Sequence, residues 1–348
     1  MNISNEKNKE SEDNINSTLL KIRAFDIAEL QRRKENSSIK SNVYQNMRLY
    51  LSYLDDTNGY IDLVDVNRSI LDRVMRLVLT FPNFKNVIEF YVQQIALQLL
   101  NPQPYFAVQP VLITGDAGVG KTAFCYALSQ ILKTPFEVIA MSTSTAGFIL
   151  SGMSPQWAEG RAGKIVECLA KNRVANPFIM LDELDKASDD ARYNPVGALY
   201  QLLEGDTAKR FVDEGLEIET DCSHIVWAAT ANYPELIPEP ILSRFMIFHV
   251  EQPSEEEMKK VIGSIYKKIL ENNNWGVFFE IVLADCAVEK IINSQVSPRR
   301  VQKEIIVACS KVALDFIFSN SKNKNLLSVR SNHIEIDTGP TKHSIGFY

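Results

Sequence analysis

Between Pro110 and Val250 short apolar runs alternate with stretches of helical period. The runs are "PVLITG", "FEVIA", "FIMLDE", "HIVWAAT" and "FMIFHV". Unbroken apolar runs of this length predict strands buried on both faces, and strands separated by helices predict a parallel sheet covered on both sides. Upstream, "SILDRVMRLVLTFPNF" and "NVIEFYVQQIALQLL" repeat at the helical period and predict two amphipathic helices divided at Pro82. From about Pro253 the strand runs stop. "SEEEMKKVIGSIYKKILENN", "AVEKIINSQ" and "PRRVQKEIIVACSKVALDFIF" then predict helices, with Ser254 and Glu257 spaced as a capping box.

The pattern divides the chain. Residues 1–17 are rich in Asn, Glu and Ser and nearly free of large apolar groups, a composition expected to be disordered. Residues 18–80 read as short helices broken at "KENSS" and "DDTNGY", residues 81–252 as an α/β domain, and 253–320 as a smaller all-helical domain. Residues 321–348 form a mostly polar tail in which "HIEID" suggests one strand.

Composition narrows the classes. In 348 residues, 45% of them hydrophobic, no apolar run approaches the roughly 20 residues of a membrane span. The N-terminus lacks the basic-then-apolar order of a secretory signal, so a cytoplasmic location is expected. The formal net charge of −6 argues against nucleic acid as the main partner. Cys125, Cys168, Cys222, Cys286 and Cys309 are odd in number and widely spread, which suggests neither a disulfide framework nor a zinc site.

Candidate chemistry lies at the ends of the predicted strands. Gly115-Asp116-Ala117-Gly118-Val119-Gly120-Lys121-Thr122, followed by Ala123, fits G-x-x-x-x-G-K-T between an apolar strand and an amphipathic helix. Glycines there let backbone N–H groups surround phosphate oxygens at a helix N-terminus. Lys121 would reach the β- and γ-phosphates of ATP, and Thr122 would bind Mg²⁺. In "FIMLDE", Asp182 would hold Mg²⁺ and Glu183 would orient and deprotonate the attacking water; alternation along the strand predicts that the two carboxylates point to opposite faces. Asn232 ends another predicted strand, where an amide can position a water near the γ-phosphate. Arg244 follows a proline-marked turn and can neutralise transition-state charge, in cis or in trans. Arg299 and Arg300 begin the last helix of the all-helical domain.

Taken together these residues resemble AAA+ ATPases, and among them the ATPase module of Lon-type proteases, most closely over about 110 to 250. "NPFIMLDELDKASDDARYNPVGALYQLLE" is similar to Lon's Walker B strand and following helix, "FVDEGLEIETDCSHIVWAATAN" to its next strands and sensor 1, and "IPEPILSRF" to its arginine-finger segment. The resemblance implies a P-loop AAA+ sheet with a helical lid and a helical N-terminal extension. It implies that Asn232 is sensor 1, that Arg244 acts on a neighbouring subunit's ATP, and that Arg299 is sensor 2, with Arg300 the next choice. A finger acting in trans requires a ring of copies, and such rings are most often hexamers. In Lon a serine–lysine peptidase domain follows the lid. Here about 50 residues follow Arg299, so no peptidase is expected in this chain, and proteolysis would need a separate protease or effector.

One stretch resists the strand-and-helix pattern. "SPQWAEGRAG" places Trp157 among Pro, Gly and charged residues. Counting back from Gly163-Lys164, Trp157 takes the place of Lon's pore-loop aromatic, where tyrosine is usual. The resemblance therefore implies a motor that remodels or unfolds a protein client gripped by Trp157. The alternatives are an ATPase acting on DNA, supported by Lys259, Lys260, Lys267 and Lys268 on one helix, and a slow nucleotide switch, which Glu183, Asn232 and Arg244 argue against.

Overall fold

The computed structural model describes residues 20–143, 146–187, 195–319 and 326–336. The disorder expected of residues 1–17 lies outside them. Two short strands, β1 (Lys21–Arg23) and β2 (Tyr60–Asp62), pair antiparallel around helices α1 (Ile27–Glu35) and α2 (Asn42–Leu54). Three-residue strands carry too little pattern to be read from sequence, and their pairing joins residues some 40 positions apart. Asp26 and Ser41 cap the two helices through side-chain oxygens, and "KENSS" and "DDTNGY" fall where these helices end. Helices α3 (Arg68–Arg76) and α4 (Lys85–Gln98) follow, divided at Pro82 as predicted.

All five apolar runs are strands. β3 (Val111–Thr114), β4 (Phe136–Ala140), β5 (Phe178–Asp182), β8 (Val226–Ala231) and β9 (Met246–His249) form one parallel sheet in the order β4-β5-β8-β3-β9. A separate short hairpin, β6 (Phe211–Val212) with β7 (Glu219–Thr220), precedes β8. The three central strands are buried almost throughout, whereas the edge strands β4 and β9 are partly exposed. Side chains alternate between the sheet's two faces. Leu112, Ile179, Leu181, Trp227 and Ala229 enter one core, which also takes Phe25, Leu30, Tyr50 and Leu54 from the N-terminal helices. Val111, Ile113, Met180, Val226 and Ala228 enter the other, with α3, α4 and α5 (Lys121–Leu132). The N-terminal helices are thus one layer of the α/β structure.

Between the strands lie α6 (Ala146–Ser151), α7 (Lys164–Asn172), α8 (Val196–Leu202), α9 (Gly205–Ala208) and α10 (Glu239–Leu242). The lid holds α11 (Glu255–Asn272), with both halves of the Ser254/Glu257 capping box formed, α12 (Asp285–Asn293) and α13 (Pro298–Phe318) around a third core. The tail corrects one expectation. Ser331–His333 is a 3₁₀ turn, and no strand forms over the described part of "HIEID". Ile334 is instead spent as a plug, fully buried with Val329 in the lid core.

Candidate functional site

The sheet order brings the C-terminal ends of β3, β5 and β8 side by side, where parallel sheets bind ligands. The loop after β3 is shaped by glycine. Gly115 has φ +141°, and a Cβ there would lie 2.2 Å from the Val250 carbonyl oxygen. Gly118 has φ +90° and lies against Ser297 of the lid, 3.1 Å from a Cβ position to Ser297 Cβ and Oγ. Val119 is buried and anchors the loop, while Asp116, Ala117, Thr122 and Ala123 are exposed. Gly120 precedes α5 and has Phe84 beneath it, which stacks on Phe124 with ring centroids 4.7 Å apart.

Lys121 is buried, and its ammonium donates to Gly115 O (2.5 Å), Asp116 O (3.0 Å) and Asn232 Oδ1 (2.8 Å). Burial lowers its pKa, while the carboxylates of Asp185, Asp182, Asp116 and Glu183 act against that shift. Thr122 Oγ1 lies 3.5 Å from Asp182 Oδ1. Side chains from the ends of three strands therefore meet: Lys121 after β3, Asp182 on β5 and Asn232 after β8.

Glu183 departs from the strand alternation expected of it. Its φ of +56° is left-handed, so β5 ends at Asp182 and a turn, not the pleat, sets where Glu183 points. Non-glycine residues adopt this conformation uncommonly, and here it turns the chain directly after Asp182. Two residues that the sequence reading passed over hold the turn. Thr230 Oγ1 donates to Asp182 Oδ1 at 2.7 Å and accepts from Glu183 N–H at 3.0 Å. Asp185 is buried; its Oδ2 accepts from Tyr233 N–H at 3.2 Å, fixing the backbone just past Asn232. A hydroxyl inside an apolar strand, and an acid two residues after Glu183, were the available signals.

The arginines divide. Arg299 is exposed, with its Cβ 4.0 Å from the Cβ position of Gly118, so the lid sets it beside the phosphate loop. Arg300 pairs with Glu304 on its own helix at 3.2 Å. Arg244 stands apart from the loop: it donates to Pro240 O, pairs with Glu204 at 3.0 Å and lies over the Tyr200 ring. Trp157 is 67% exposed on a loop closed by the Met153–Arg161 pair, and is not among the contacts of Lys121. Of the four lid lysines, Lys267 pairs with Glu271 at 3.8 Å and Lys268 lies over the Tyr126 ring, so two are engaged within the chain.

These residues fit a nucleotide and a divalent cation. The loop packs too closely on Val250 and Ser297 for side chains at Gly115 and Gly118, which leaves its backbone bare, and a hydroxyl beside a carboxylate suits Mg²⁺, which is bound by one or two protein oxygens together with substrate phosphates. A cleft of about 460 Å³ lies in the lid and its linker, lined by Gln252, Pro253, Met258, Val296 and Ser297 among others; Lys121, Thr122 and Asp182 do not line it, and Ser297 is its point of approach to Gly118. Among the described residues no helix is long and apolar enough to cross a membrane.

Residues 111–252 match the family "ATPase family associated with various cellular activities (AAA)". The Lon protease of Malacoplasma penetrans is 27% identical over 292 residues, covering 84% of this chain and 37% of the relative. The Lon protease of Buchnera aphidicola subsp. Acyrthosiphon pisum is 29% identical over 255 residues, covering 70% and 31%. The chain thus spans about a third of the length of these relatives. In fold it is similar to S. cerevisiae Hsp104, solved as "Hsp104:casein complex, Extended Conformation", with a TM-score of 0.59, 16% identity and coverage of 74% of this chain and 49% of that one.

Proposed function

Because residues 111–252 form a AAA ATPase domain in a chain distantly related to Lon proteases, we propose that the protein hydrolyses ATP and couples the hydrolysis to remodelling or unfolding of a protein client in a ring of copies. The observation that carries the ATPase part is the convergence of Lys121, Asn232, Thr122 and Asp182 at three strand ends.

Lys121 would exchange its carbonyl and amide partners for β- and γ-phosphate oxygens, while backbone N–H groups of residues 115–120 surround the phosphates. Thr122 and Asp182 would hold Mg²⁺, which when bound neutralises charge on the β- and γ-phosphates. Glu183 would take the proton of the attacking water as its oxygen bonds to the γ-phosphorus and the bond to the ADP leaving oxygen breaks. Asn232 would position that water, and Arg299 would carry the state of the nucleotide to the lid. Arg244, held by Glu204 within its own chain, would serve a neighbouring copy, which is why a ring is part of the reading; a hexamer is the form we propose. Trp157 would be the contact with the client, offering apolar area with few rotatable bonds. No peptidase step is assigned to the described residues.

The test is the steady-state ATPase rate with and without a permanently unfolded polypeptide, together with ATP-dependent unfolding of a tagged folded protein. Stimulation and unfolding, both reduced by Trp157→Ala, are expected. An ATPase indifferent to polypeptide that unfolds nothing would sink the remodelling part and leave the nucleotide site standing.

A further inference from the structure

The Trp157 loop is held at its base by the β6–β7 hairpin and at its tip by α2. Its closing hydrogen bonds are local: Met153 N–H to Arg161 O (2.8 Å), Arg161 N–H to Met153 O (3.0 Å), Trp157 N–H to Ser154 O (3.1 Å) and Gly160 N–H to Trp157 O (3.0 Å). The carbonyls at its tip turn outward, and they are met by α2. Asn42 Nδ2 donates to Trp157 O at 2.7 Å and lies 3.2 Å from Pro155 O and 3.4 Å from Ala158 O. One helical turn later, Asn46 Nδ2 reaches Gly160 O at 3.3 Å and Gly215 O at 3.4 Å. Spacing of i and i+4 puts both carboxamides on one helix face.

The same N-terminal segment grips the β6–β7 hairpin. Arg33 pairs with Glu217 at 2.8 Å, Asp221 N–H donates to Ala24 O at 3.0 Å, and Phe25 bridges Thr220. Hairpin and loop are pressed backbone to backbone, since a Cβ on Gly215 would lie 2.0 Å from Arg161 O. Between them Asp213 is wholly buried and accepts from Gly163 N–H (2.7 Å), Gly215 N–H (2.9 Å) and Leu216 N–H (2.8 Å).

We propose that α2 is the backing of the Trp157 loop: Asn42 and Asn46 are positioning residues that fix the loop tip, so that a pull on Trp157 by an unfolded polypeptide is carried into the N-terminal layer of the core. The proposal rests on Trp157 being the client contact. A side chain on a free loop yields when pulled. One whose own carbonyl is tied to a helix packed in the core transmits the load. This gives residues 20–63 a task in the same cycle as the nucleotide site without touching nucleotide.

The experiment compares the full chain with Asn42→Ala, Asn46→Ala, the double variant, and Asn42→Asp, which keeps the size and loses the donor. Amide hydrogen exchange of the peptide covering 153–163 is read first, with peptides from β3 and β5 as the folding control. In the double variant exchange over 153–163 is expected to rise by about tenfold, the loss of one to two net hydrogen bonds, with the strands unchanged. The second reading is the concentration of reduced, carboxymethylated α-lactalbumin that half-maximally stimulates ATPase. It is expected to rise several-fold while the rate without polypeptide stays as in the parent. Unchanged exchange over 153–163 overturns the clamp. Faster exchange with an unchanged half-maximal concentration overturns its part in the grip. A parent protein indifferent to polypeptide sinks the client reading itself, and the exchange result then still decides whether the clamp exists.

Discussion

The phosphate loop and the Trp157 loop are both short, glycine-bearing segments, and they are built in opposite ways. Residues 115–122 draw their shape from their own sequence: glycines with positive φ, a lysine folding back on Gly115 and Asp116, and a helix starting at once. Residues 153–163 draw theirs from elsewhere, from Asn42, Asn46, Asp213 and the close approach of Gly215. On the proposed function, a site for a fixed ligand such as triphosphate can be written as one motif. On the same proposal, a loop that stays exposed and still resists displacement needs support from outside itself.

This contrast can be broken or sharpened by substitution. The largest effect is expected at Glu183: Glu183→Gln should retain ATP binding and lower turnover by about 10²–10⁴-fold, the usual worth of a general base, as read by equilibrium binding beside a steady-state assay. Normal turnover would remove Glu183 from the site. Next, Lys121→Ala should weaken ATP binding by roughly 10–100-fold, the loss of a charge-assisted contact, measured by calorimetry. In the second region Gly215→Ala should lower stability by about 1–3 kcal/mol in urea unfolding, because the added methyl meets the Arg161 carbonyl. Equal stability would mean that hairpin and loop can part freely.

The smallest effect concerns Asp213. Burial pushes its carboxyl up to about 7, against the pull of three N–H donors and with Glu214 adding to the rise. The folded state then holds a proton that the unfolded chain has released between about pH 4 and 7, so stability from this group falls as pH rises through that window. Asp213→Asn should be weaker at every pH, since its amide would face Gly163 N–H, but should lose this slope. The parent-minus-variant difference in unfolding free energy is therefore expected to shrink from pH 5 to pH 7.5. A difference that stays flat from pH 5 to pH 7.5 would show the carboxylate ionised throughout and stabilised by its N–H donors.

The sequence by itself determined the elements whose signal is local. Unbroken apolar runs specified the five parallel strands, because a strand buried on both faces has no polar position to spare. Ser254 and Glu257 specified a helix start, and the glycine spacing before Lys121 specified a tight loop between β3 and α5. Only the tertiary structure decided the rest. It ended β5 at Asp182 and turned Glu183 through a left-handed residue, because Thr230, 47 residues on, supplies the hydroxyl that holds that turn. It spent Ile334 in the lid core in place of a strand. It set Asn42 of α2, 115 residues before Trp157, against that residue's carbonyl. Pairings at such separations leave no period in the chain, since two asparagines on a helix read as ordinary polar surface until the fold brings carbonyls to them.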